Sequence, residues 1–273
     1  MDYDDMTLLK GIEVFFDAIK AKCSTEEEYV AELLKARGFL LEDNELALSD
    51  NSFFAKNRWT REIIDSPMND ANYLNELLTS ENIGEVQGNK IIIFPGANAE
   101  KIFYSSIQYG GESFLAYSVP FFRYNFAPKV PVGLLEKFVA RYVKALSACG
   151  VQTHGSCDGN HHRPPCGGIC IEISGGMYSV WYEIICQNLL VNRFNLNWNG
   201  RIDKFDRIKL RKSDKWITYI ELNRAAEFLY NNRIKIRQIR RKASDEFLSR
   251  NAQTFTVDKF VEITNKLFEH EKW

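Results

Sequence analysis

The spacing of apolar residues changes along this chain, and that change limits the elements it can form. From Met6 to about Leu78 the apolar positions recur at helical spacing, as in Leu9, Ile12, Phe15, Phe16 and Ile19. From about Asn89 the pattern shifts to short apolar runs and alternation. Ile169, Ile171 and Ile173 alternate with Cys170, Glu172 and Ser174, the period of a strand that turns successive side chains to opposite faces. Helical spacing returns in Val132–Ala148 and Tyr178–Leu190. This order predicts an α+β protein, with a helical N-terminal portion followed by a mixed, largely antiparallel sheet and packed helices. The expected division is residues 1–85 and 86–273.

Local signals refine the expectation. Thr25 and Glu28 form a capping box for a helix that Gly38 stops. Phe53–Ile64 and Tyr73–Leu78 read as helical pieces, the second capped by Asp70. Lys90–Phe94 suits a buried strand, Ala99–Tyr109 a short helix, and Ser113–Phe126 is strand-like. Val132–Ala148 is one amphipathic helix ending at Gly150, and Val151–His154 a short strand. Further on, Arg193–Trp198, Arg207–Arg211 and Trp216–Glu221 read as strands, with a turn at Ser213-Asp214. Leu222–Tyr230 and Ile234–Leu248 are helical, and Thr256 or Asp258 caps a last helix. The 19 Phe, 12 Tyr and 5 Trp supply enough apolar area for a large core.

Three of the four His (154, 161 and 162) and four of the six Cys (149, 157, 166 and 170) fall in the one segment from Cys149 to Cys170. Random placement gives roughly half a Cys and a third of a His there, so the clustering calls for a cause. Zinc supplies one, since thiolate and imidazole are its preferred ligands. His154 and Cys157 have knuckle-like spacing, with Gly155 between them. His161 or His162 supplies a third ligand, and Cys166 or Cys170 a fourth. Glu172 lies on the Cys170 face of its strand, as an oxygen ligand, a partner to a ligand, or a general base. Asp158 is the other candidate base. A metal-free alternative has Cys157 as a nucleophile beside His154, or the Cys as small buried residues and the loop as turns. Cys23 and Cys186 read as structural thiols.

The run His161-His162-Arg163-Pro164-Pro165, ahead of a strand and a helix, resembles the ββα-metal nucleases over the short stretch from His161 to about Leu190. That resemblance implies metal-assisted hydrolysis of nucleic acid. The chain departs from the pattern downstream, where Asn188 is present but no His follows until His270.

Charge is unevenly distributed. Residues 1–50 hold 13 Asp/Glu against 5 Lys/Arg, and residues 201–250 hold 15 Lys/Arg against 7 Asp/Glu. The two ends either pair with each other, within or between chains, or the basic end faces nucleic acid. Arg233, Lys235, Arg237, Arg240, Arg241 and Lys242 would spread over a helix and contact phosphate. The opening Met-Asp-Tyr-Asp-Asp does not read as a leader, and no apolar run approaches a membrane span. The expectation is a cytoplasmic protein whose Cys are thiols or ligands. Its leading function is to bind zinc or another divalent metal and to bind or hydrolyse nucleic acid. If it is an enzyme, it is a metal-dependent hydrolase. The rival is a non-catalytic interaction module whose Cys/His loop is structural or metal-free.

Overall fold

The computed structural model describes residues 9–42, 45–46, 54–57, 63–107, 114–116, 121–123, 131–160, 169–194, 207–210, 214–249 and 256–273. Of these, 54–57, 63–69, 114–116, 123, 154 and 207–210 are described by backbone alone. The class is α+β.

Helical periodicity holds at the N-terminal end. Helix α1 (Glu13–Lys20) buries Phe15, Phe16 and Ile19. Helix α2 (Glu26–Arg37) begins at Thr25, whose hydroxyl accepts from the Glu28 N–H at 3.1 Å. The Glu28 carboxylate in turn accepts from the Ser24 N–H at 2.6 Å. Gly38 ends the helix at φ +109, and a Cβ there would come within 2.7 Å of the Ala140 Cβ. Only glycine permits both the left-handed turn and that close approach.

Three expectations then fail. Residues 54–57 and 63–65 are not helical but form β3 (Phe54–Asn57) and β4 (Ile63–Asp65), after the short β1 (Leu41–Glu42) and β2 (Glu45–Leu46), and 58–62 lie outside the described residues. β3 pairs with the distant β7 (Phe114–Ala116), a long-range pairing that outweighs a weak local period. Helix α3 spans Ser66–Ser80, so Asp70 lies inside it rather than capping it. The Asp70 carboxylate instead accepts from the Val132 N–H at 2.6 Å and from Lys144 Nζ at 2.7 Å. Residues 132–134 accordingly form only a 3-10 turn, and the helix expected over 132–148 is confined to α4 (Ala140–Ala148).

Among the described residues the strands form three small antiparallel sheets, in the orders β1-β2-β6-β5, β4-β3-β7 and β10-β9-β8. β5 (Gly84–Gln87) and β6 (Lys90–Ile93) make a hairpin, so the expected boundary at 85/86 falls inside β5. β6 alternates exposed and half-buried residues and is not a buried strand. Ala99–Phe103 is a 3-10 turn. β8 (Thr153–Cys157), β9 (Ile169–Ile173) and β10 (Arg207–Leu210) complete the third sheet.

Helix α5 (Met177–Ile185) runs into a π turn at Cys186–Leu190. Helix α6 (Lys215–Asn231) takes in Trp216–Glu221, which alternation marks as a strand. Asp214 caps it, accepting from the N–H groups of Trp216 and Ile217 at 2.8 and 3.3 Å. Trp216 and Tyr219 share a face at helical spacing, and their rings lie 5.3 and 4.5 Å from that of Phe138. Helices α7 (Arg233–Ser249) and α8 (Val257–Glu269, capped by Thr256) complete the chain. α4 packs on α6, α2 on α4, α1 on α6, and α8 on both α5 and α7. One cluster of buried side chains runs from Ile12 to Phe268. Residues 195–200, which hold most of the expected strand Arg193–Trp198, lie outside the described residues.

Candidate metal-binding hairpin

β9 is the middle strand of its sheet, and its isoleucines fix its position. Ile169, Ile171 and Ile173 are 5, 0 and 0% exposed. The opposite face is covered too, since Cys170 is 1% exposed. The expected open polar face is thus limited to half-buried Glu172 and Ser174. With β9 set by the isoleucines, pairing with β8 places Cys157 directly opposite Cys170 and Gly155 opposite Glu172. Directly opposed residues in an antiparallel pair share a face, with Cβ atoms about 4.5–5.5 Å apart. Cys157, Cys170 and Glu172 are therefore neighbours on one side of the hairpin, at the mouth of the His-rich loop.

Two details shape this end of the hairpin. The register shifts between Thr153 and Gly155, so His154 is the extra residue of a β-bulge, a device that re-aims side chains beside sites. Gly155 gives room to Glu172, since a Cβ at 155 would lie 2.9 Å from the Glu172 carboxylate. His161, His162 and Cys166 lie outside the described residues, as does the side chain of His154. Among the described residues, no group of three or more His, Cys, Asp or Glu is arranged to hold a metal. The described part of the hairpin thus provides two opposed thiols and a carboxylate.

Asp158, expected as a base, is a structural anchor. It is 5% exposed. Its N–H donates to the Glu136 carboxylate, and its carbonyl accepts from the Tyr219 hydroxyl at 2.5 Å. Its own carboxylate accepts from the Asn160 N–H at 3.0 Å. Burial, then the charge of Asp158, pushes the Tyr219 hydroxyl well above its ordinary pKa, so it stays a donor. The network fixes the first residues of the loop to α6 and to the approach to α4.

The basic helix is likewise largely committed. Arg240 is 0% exposed, not on the solvent face. It donates to the carbonyls of Gly150 and Phe121 at 2.6 and 2.7 Å, with its guanidinium 3.9 Å from the Phe121 ring centre. Burial lowers its pKa to about 10, so it remains charged at neutral pH. Arg240 is thus removed from the phosphate-contacting set. Arg233 lies over the Tyr230 ring and 3.5 Å from Glu42, an acidic N-terminal residue. Lys235 reaches Glu271, the Lys272 carbonyl and the Trp273 ring. Arg241 and Lys242 are exposed, away from the buried Ile236, Ile239 and Ala243, and Arg237 is half-buried at the flank of that outer face. The burial of Arg240 is legible in one respect, since it follows Ile236 by four positions and so shares that helical face.

Asn188 also serves packing. Its amide donates to the Ile184 carbonyl and to Asn265, both at 2.9 Å, tying α5 to α8. That role departs further from the nuclease pattern. No protein family, curated protein or solved structure matches this chain.

Arg240→Ala should lower the unfolding free energy by about 2–4 kcal/mol in urea titration, by orphaning two buried carbonyls and opening a cavity. Arg241→Ala, at the adjacent but exposed position, should stay within about 0.5 kcal/mol of the parent. The thiols differ in the same way, because burial pushes those of Cys149 and Cys186 up to about 12. At pH 8 such thiols are ionised to about one part in ten thousand. Native-state alkylation of chelator-treated protein, read by peptide mass spectrometry, should label half-buried Cys157 well before either; equal labelling would contradict this assignment.

Proposed function

We propose that the β8–β9 hairpin binds a thiophilic divalent cation, zinc foremost, with Cys157 and Cys170 as two of its ligands. The observation that carries this reading is the direct pairing of the two cysteines across the strands. Two thiolates on a tetrahedral zinc sit about 3.8 Å apart, given Zn–S bonds of about 2.3 Å. Opposed Cβ atoms at about 4.5–5.5 Å allow that bite without moving the strands. A disulfide prefers Cβ atoms about 3.8 Å apart and would draw the strands together. The remaining ligands come from His154, His161, His162 and Cys166, with Glu172 as an oxygen ligand or a partner to a histidine.

The ion is a staple in this reading. It closes a hairpin whose loop start is already anchored by Glu136 and Tyr219. A hydrolytic site needs an open coordination position and a base. Asp158 is 5% exposed and its carboxylate accepts from the Asn160 N–H, so half-buried Glu172 is the better placed candidate base. A reducing compartment such as the cytoplasm suits thiolate ligands. No helix among the described residues is long and apolar enough to cross a membrane.

Metal analysis of the purified chain tests the proposal. One equivalent of zinc is expected, lost in Cys157→Ser/Cys170→Ser. Free zinc at about 100 to 1,000 times Kd should stabilise the parent by about 2.7–4.1 kcal/mol relative to chelator-treated protein. A parent that holds no metal and is indifferent to chelator would contradict it.

A second reading rests on exposed Arg241 and Lys242 with half-buried Arg237 beside them, of which Arg237 and Lys242 form no ion pair among the described residues. Three phosphate contacts on a labelled single-stranded oligonucleotide would give log K against log salt a slope of about −2. No binding at low salt, or a slope unchanged when all three become Ala, would remove it.

A further inference from the structure

Between α2 and the β5–β6 hairpin lies an open groove of about 630 Å³. Val30, Ala31, Leu34, Leu41, Ile91 and Ile93 form its apolar lining, and Glu26 and Glu27 stand at its rim. Ile91 and Ile93 are only half-buried there, and Phe94 beside them is 36% exposed. Both rim glutamates are exposed, and neither forms an ion pair among the described residues. The groove therefore presents apolar area and unneutralised negative charge together, which suits an occupant of apolar core and positive flank.

The same chain carries such an occupant close by. Ile234, in the first turn of α7, is 55% exposed. Around it lie half-buried Arg237 at the flank, one turn on, and exposed Arg241, two turns on. The Arg233–Glu42 ion pair, at 3.5 Å, holds the start of α7 beside the Leu41 end of the groove. The acidic groove and the basic, apolar-tipped ridge are thus neighbouring patches of one surface.

We propose that this surface is a two-fold interface, in which Ile234 of each copy enters the groove of the other and Arg237 and Arg241 meet Glu26 and Glu27. Neighbouring complementary patches suit a two-fold because both contacts then form at once and the assembly closes. The doubling also matters for area, since a specific interface buries about 1,600 Å² in total and one groove of this size supplies a fraction of that. The charge asymmetry of the chain has a use in this arrangement, because it selects the pairing and steers the encounter. The dimer covers Arg237 and Arg241, so it and a phosphate contact are alternatives on one face.

Sedimentation equilibrium of the full chain tests the proposal. A monomer–dimer equilibrium is expected that weakens as salt rises toward about 1 M, where the screening length falls to about 3 Å. Ile234→Glu alters an exposed side chain and should keep the parent circular dichroism and melting temperature, whereas Glu26→Lys/Glu27→Lys should keep the circular dichroism and melt at a lower temperature, by reversing two charges in the first turn of α2. Each should weaken the dimer by roughly tenfold or more, since each sets like charges together. Adding Arg237→Glu/Arg241→Glu to Glu26→Lys/Glu27→Lys should restore it. A monomer under all conditions overturns the proposal. So does a dimer indifferent to Ile234→Glu, or a combined charge swap that fails to restore association.

Discussion

The register of β9 is the constraint on which the candidate site depends. Ile169, Ile171 and Ile173 are buried almost completely, so a slip of one position would turn three isoleucines out of the core. At about 1.5–3 kcal/mol per fully buried side chain, that slip is excluded on energetic grounds. The same constraint turns Cys170 and Glu172 to the other face, and pairing with β8 brings Cys157 alongside. A hydrophobic pattern thus does the positioning for a polar site.

Several charged groups hold the fold together, and two of them, Arg240 and Asp158, look functional in sequence. Asp70 and Lys144 form a buried pair that ties α3 to α4 and pins the turn at Val132. Arg240 satisfies two carbonyls between aromatic rings. The backbone carbonyl of Asp158 fastens the loop to α6 through Tyr219, while its carboxylate accepts from the Asn160 N–H. In each case burial of a charge is tolerable because hydrogen-bond partners are already in place. Among the described residues, the candidates for contact with a metal or a partner narrow to Cys157, Cys170, Glu172 and the outward residues of α2 and α7.

Local signals are legible in this sequence and long-range ones are not. The Thr25 capping box, the Gly38 stop, the β9 alternation and the Thr256 cap each act over a single turn or strand, and each appears as expected. The strands at 54–65 escape such a reading because β3 is defined by pairing with β7, which follows it only after α3 and the β5–β6 hairpin. Trp216–Glu221 misleads because an aromatic-rich run suits a strand or a buried helix equally. The Asp214 cap and the stacking on Phe138 decide for the helix. The site is legible as a cluster and not as a geometry. That Cys157 and Cys170 are opposed depends on a bulge at His154, which no spacing rule reveals.

The central claim is that one metal ion is shared by thiolates from both strands of this hairpin. X-ray absorption at the zinc edge of the loaded protein measures it most directly. The account predicts at least two sulfur neighbours at about 2.3 Å, with nitrogen or oxygen completing a four-coordinate shell. A shell of nitrogen and oxygen alone, unchanged by Cys157→Ser/Cys170→Ser, would contradict it.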